Sequence, residues 1–220
     1  MSCSNKKAIQ KKYFRRAQIV ASLLRLAPFV RMVGLTGSLS MGEASRESDI
    51  DFIIITKNGR IWSGRMFATL FVQLTGFRRY GKKIAGRICL NHYKVENILV
   101  IHPQTKKNAH DYSLIIPLWQ ADDLYKKFKN SNEWFSRYGN KFKNHLPDQN
   151  LFWNFIDRFF QLIGEFLYDF FLGDWGEKIL GNYQKGRIRK DPRTKESPKG
   201  NIFISNRELR FHPPKTLDPK

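Results

Sequence analysis

A chain of 220 residues has room for one domain with extensions, or for two small domains. Its 39 Lys and Arg outweigh 19 Asp and Glu for a formal net charge of +20, which favours polyanions: nucleic acid, nucleotide phosphates or acidic membrane. Two cysteines far apart in sequence exclude a disulfide framework and a CxxC metal site, a usage that suits a reducing cytoplasm.

The basic residues are gathered at the ends. Residues 1–35 hold eight Lys or Arg and no acid, and residues 184–220 hold eleven bases against four acids. The N-terminus lacks the apolar core and cleavage site of a signal peptide, so a cytoplasmic location is expected. Residues 6–26 read as an amphipathic helix, with Ile9, Tyr13, Ala17, Val20 and Leu24 at helical spacing and Lys and Arg on the other face. That basic face is either solvated surface or a surface for phosphate or nucleic acid. Pro28 ends the helix and Phe29–Leu35 begins a first strand.

The stretch 34–56, GLTGSLSMGEASRESDIDFIIIT, is the one around which the rest of the chain is organised. The first strand runs into Gly37-Ser38, where glycine lets backbone approach a ligand closely. Next comes a polar loop, carrying Arg46 as a candidate phosphate contact and Glu43 and Glu47 as solvent-facing acids. Asp49-Ile50-Asp51 then opens the apolar, β-branched run Phe52-Ile53-Ile54-Ile55, a buried strand. Strand alternation points Asp49 and Asp51 the same way, and two close carboxylates repel unless a hard cation sits between them.

Gly37-Ser38, a ten-residue spacer and Asp49-Ile50-Asp51 on the next strand resemble the signature of the DNA polymerase beta-like nucleotidyltransferase superfamily. The resemblance implies an α+β fold, with a small mixed-sheet nucleotidyltransferase core at 29–109 and a helical C-terminal lobe at 110–183. It implies that Gly37 and Ser38 contact nucleotide phosphates, and that Asp49 and Asp51 are catalytic and hold two Mg²⁺ ions. ATP or another NTP is the implied substrate.

Beyond Thr56, a KNGR turn leads into a helix over Arg60–Thr75, with Arg60 and Arg65 near its start as further candidate nucleotide contacts. A basic loop comes after it, then a third strand over Ile84–Val95, expected to lie antiparallel to the second. The superfamily's third carboxylate falls here on Asn91, within Leu90-Asn91-His92. An asparagine offers a carbonyl oxygen to a metal but cannot act as a base, so Asn91 is a candidate third ligand of reduced power. Glu96 and Asp111 are possible substitutes, and His92 reads as structural more readily than as a proton carrier.

Residues 98–102 extend the strand region or start another strand, and Asp111–Lys129 reads as a helix interrupted at Pro117. An aromatic connector docking through Trp134, Phe135 and Tyr138 precedes the long apolar stretch 150–172. In that stretch Asp157, Gln161, Glu165 and Asp169 recur every fourth position. This is one polar stripe on a helix with a wide apolar face, which favours a core helix and argues against a membrane partner. The tail 184–220 reads as a basic linker with a docking segment near 201–211. The functional readings are an NMP-transferring enzyme, a nucleotide- or RNA-binding relative weakened by Asn91, and, as a weaker third class, a membrane-peripheral protein using residues 150–172 and the basic termini. The acceptor and the oligomeric state have no sequence code.

Overall fold

The computed structural model describes residues 3–81, 83–142, 151–195 and 202–211. Parts of the basic loop, connector, linker and C-terminal end read from the sequence lie outside these residues. In chain order the elements are α1 (Cys3–Leu24), β1 (Val30–Thr36), α2 (Gly37–Met41), β2 (Ile50–Thr56), α3 (Ile61–Leu74), β3 (Ile88–Val95) and α4 (Lys106–Ser113). They continue as β4 (Ile116–Gln120), α5 (Leu124–Ser131), a 3₁₀ turn (Glu133–Tyr138), α6 (Leu151–Phe171), α7 (Gly173–Lys190), α8 (Pro192–Lys195), β5 (Phe203–Ile204) and β6 (Glu208–Arg210). The six strands form one mixed sheet in the order β4-β1-β2-β3-β6-β5. An α+β fold built on a mixed sheet is therefore present.

Both faces of the sheet are covered, which is why the strands read as continuous apolar runs rather than alternating ones. Phe52 and Ile54 join a core with α1 and α3, including Val20, Leu24, Trp62 and Val72. Ile53 and Ile55 point the other way, to Tyr125, Phe128 and Trp134. Asn132 ties this second layer together, accepting from the Ile101 N–H at 2.8 Å and donating to Leu99 O at 2.9 Å.

Four expectations change. β2 and β3 pair in parallel, because α3 carries the chain back over one face before β3 begins. Pro117 lies in β4, an edge strand where its missing N–H costs no ladder bond, so the interrupted helix is a strand between α4 and α5. Residues 98–102 are irregular, with Leu99 and Ile101 buried. The tail read as a linker is helical through Lys190 and again at Pro192–Lys195. Within the segment near 201–211, β5 and β6 form a hairpin, and β6 pairs with β3.

α6 sits the opposite way round from a core helix. Its polar stripe faces the body, with Gln161 fully buried and Glu165 4% exposed, while Phe166 and Phe170 are 67% and 72% exposed. The cause lies in the α1–β1 connection. There Gln161 donates to Ala27 O and Val30 O at 3.0 and 2.7 Å, and Glu165 takes the Phe29 N–H at 3.0 Å. Glu165 also receives two hydrogen bonds from the buried Arg31, at 2.7 and 2.8 Å, and Asp157 pairs with Arg25. Buried backbone groups and an Arg need polar partners, and this demand outweighs burial of the apolar face.

Candidate active site

β1 ends where the chain turns sharply at Gly37, whose φ is +71°. A Cβ there would stand 2.4 Å from Asp51 Oδ2, so glycine is required by both conformation and space. Ser40 Oγ donates to Gly37 O at 2.9 Å and stitches the turn that starts α2. Register places Thr36 opposite Asp51, with Thr36 Oγ1 donating to Asp51 O at 3.3 Å. The antiparallel pair thus brings the Gly-Ser turn and the aspartates to one end of the sheet.

The carboxylates of Asp49 and Asp51 and the Cys89 sulfur all lie within 4.8 Å of one another. Two like charges so close raise each other's cost unless compensated. Part of the compensation is internal. Arg79, from the loop before β3, donates to Asp49 Oδ2 at 2.5 Å, and Asn91 Nδ2 donates to Asp51 Oδ1 at 2.6 Å. The β2–β3 register slips between Phe52 and Ile53, opposite Asn91, and such an irregularity re-aims a side chain. Burial, with the nearby Asp51 and Asp49 charges, pushes the Cys89 thiol up to about 12, so it stays protonated. The donor set suits a hard, oxygen-seeking cation such as Mg²⁺ through the two carboxylates, and not through the sulfur.

These groups open into a cavity of about 510 Å³, within the range of small-molecule sites. Gly37, Ser38, Asp49, Asp51 and Asn91 line it together, as does Glu43, which is also exposed to solvent. Arg46 is exposed and does not line it. Arg60 and Arg65 follow the opposite end of β2, roughly 20 Å along the strand. Arg60 pairs there with Asp169 and Asp174 at 2.9 and 2.6 Å, while Arg65 bonds Gln184 and stacks on Phe211 at 5.2 Å. Glu96 is also at that end, accepting from the Asn58 N–H at 3.1 Å.

The cavity's positive charge comes instead from Lys107 on α4 and Arg210 on β6, joined by Asp111, which Lys107 pairs at 3.2 Å. Sequence reading missed Lys107, Arg210 and Arg79, each in a segment remote from the Gly-Ser turn. His92 is structural in its bonding. Burial lowers the His92 pKa and keeps the ring neutral; the Glu208 carboxylate accepts from His92 Nε2–H at 3.0 Å, which leaves Nδ1 to accept from the Tyr112 hydroxyl at 2.6 Å. Lys94 Nζ donates to Glu208 Oε2 at 2.7 Å. Burial alone would raise the Glu208 carboxyl, but its bonds from His92 and Lys94 hold it at about 2. This buried network locks β6, and with it Arg210, against β3.

A family model described as a nucleotidyltransferase domain matches residues 16–130, from within α1 to within α5. The match covers just over half of the chain, and the chain belongs to this family, whose general reaction is transfer of a nucleoside monophosphate. No curated protein and no solved structure matches it.

Proposed function

We propose that this protein is a metal-assisted nucleotidyltransferase that moves a nucleoside monophosphate from an NTP, with ATP the expected donor, to an acceptor hydroxyl. The observation that carries this reading is the packing of Gly37 directly against the Asp51 carboxylate. Such contact brings the Gly-Ser turn and the two acids to one cavity, which supports reading them as phosphate and cation contacts.

Asp49 and Asp51 hold the metal, two Mg²⁺ ions being expected. Bound there, Mg²⁺ supplies Lewis-acid polarisation of the phosphates and lowers the pKa of the acceptor hydroxyl. Asn91 fixes the Asp51 carboxylate by its hydrogen bond, and Gly37 and Ser38 bring backbone amides and a hydroxyl to the triphosphate. The acceptor oxygen attacks the α-phosphorus, the bond to the α–β bridging oxygen breaks, and pyrophosphate leaves. Lys107 and Arg210 oppose the charge that grows on the leaving group. Without a third carboxylate at Asn91, the acceptor proton passes to Glu43, Asp111 or water, so turnover is slow.

The second reading, a nucleotide- or RNA-binding protein without transfer, is favoured by one observation: the Asn91 amide faces Asp51 as a donor. Pyrophosphate release separates the two. Wild-type protein is given each NTP with Mg²⁺ and a cellular acceptor pool, beside Asp49→Asn and Asp51→Asn. Release that needs Mg²⁺ and falls about a thousandfold or more in both variants supports the enzyme. Metal-dependent ATP binding with no release supports the binding protein.

A further inference from the structure

From the inverted setting of α6 we infer that this protein docks, by the outward faces of α6 and α7, onto the surface of an anionic phospholipid bilayer. Phe159, Ile163, Phe166 and Phe170 follow one another along the outer side of α6, each 41–72% exposed. Trp175, Ile179 and Tyr183 continue at helical spacing on α7, 46–66% exposed. An apolar surface of this extent is unusual on a monomeric protein left in water and marks an interaction site.

The acidic stripe that argued against lipid is not on this surface. Asp157, Glu165 and Asp169 are turned inward and paired with Arg25, Arg31 and Arg60. The exposed acid beside the α7 row is Asp174, which Arg60 pairs at 2.6 Å, and bases lie along the same helices. Arg187 extends the Trp175-Ile179-Tyr183 row by one turn and lies 5.9 Å over the Tyr183 ring. On α1, exposed Lys11 and Arg15 lead by steps of four into exposed Ile19 and Leu23, two residues before the Arg25 that pairs with α6. Aromatic and aliphatic side chains edged by Lys and Arg are what an interfacial helix presents to acidic headgroups. Among the described residues no helix is long and apolar enough to cross a membrane, so the helices lie in the plane of the surface. A second copy of this chain is the weaker occupant, because two bodies of net charge +20 repel where an anionic bilayer attracts.

The test is co-sedimentation of the full chain with phosphatidylcholine vesicles, with and without about one-third phosphatidylglycerol. The Phe166→Asp/Phe170→Asp variant is run in parallel, with circular dichroism and melting as checks of folding. The expected result is binding to the acidic vesicles that weakens at least tenfold without phosphatidylglycerol. Losing two phenyl rings that would insert into the bilayer should weaken binding to the acidic vesicles at least about a hundredfold, with an unchanged melting profile. Equal binding by the double variant would overturn the assignment of this face. So would a monomeric wild type that ignores both vesicles, or a dimer in sedimentation velocity that the double variant dissociates and lipid does not bind.

Discussion

Replacing Gly37 by alanine should separate geometry at the site from general destabilisation. Alanine at φ +71° bears the left-handed penalty of about 1–2 kcal/mol. In a chain of this size that lowers the melting temperature by roughly 2–8 °C. The new methyl group would also stand 2.4 Å from Asp51 Oδ2, so the carboxylate must retreat by about 1 Å. Such a retreat breaks its fit to Asn91 Nδ2 and shifts the oxygen that holds the metal, and a displacement of that size costs on the order of a hundredfold in rate. Gly42→Ala is the control, since Gly42 has φ +78° but nothing within 4 Å of an added Cβ. The two variants should melt within a few degrees of each other, while only Gly37→Ala loses about two orders of magnitude in Mg²⁺-dependent transfer. Equal activity in both would refute the argument that the turn and Asp51 work as one unit.

Three more outcomes are expected. Asn91→Asp replaces a hydrogen-bond donor with a third negative charge, so in EDTA it should cost about 1–3 kcal/mol of stability in thermal melts, with Mg²⁺ restoring most of it. No recovery with Mg²⁺ would place the metal elsewhere. Glu165→Ala leaves the buried Arg31 with only the Glu96 carboxylate 3.9 Å away and frees the Phe29 N–H, so urea unfolding should show a loss of about 3 kcal/mol, and a loss under 1 kcal/mol would contradict the inward setting of α6. Glu208 is held at about 2 against an ordinary 4.5, a lowered carboxylate. The stability it provides is therefore complete above about pH 4.5 and lost as pH falls toward 2. Glu208→Gln should flatten that acid limb in pH-dependent melts; an unchanged limb would remove the network as its source.

The site's heart was legible because it is local. A glycine at a strand end, a spacer and two alternating aspartates before a β-branched run need only strand periodicity to converge. Strand direction was not legible. A sheet covered on both faces makes β2 and β3 apolar throughout whichever way they run, so only the length of α3 decides. Pro117 was ambiguous for a similar reason, since a proline that breaks a helix sits at no cost on a sheet edge. The Asp157-Gln161-Glu165-Asp169 stripe was visible as a stripe. Which side faced inward depended on Arg25, Arg31 and the carbonyls of residues 27 and 30, over a hundred positions away. Distance in sequence also hid Lys107 and Arg210, whereas Arg60 and Arg65, closer in sequence to the aspartates, belong to the opposite end of the sheet.

The most direct test of the central claim is transfer of label from ATP carrying radioactive α-phosphate into acid-precipitable or chromatographically shifted product, with Mg²⁺ and a cellular acceptor pool. The wild type should transfer α-label but not γ-label, and Asp49→Asn/Asp51→Asn should transfer neither. Label that moves equally well in the double variant, or that moves from the γ-position, would contradict a nucleotidyltransferase centred on these two carboxylates.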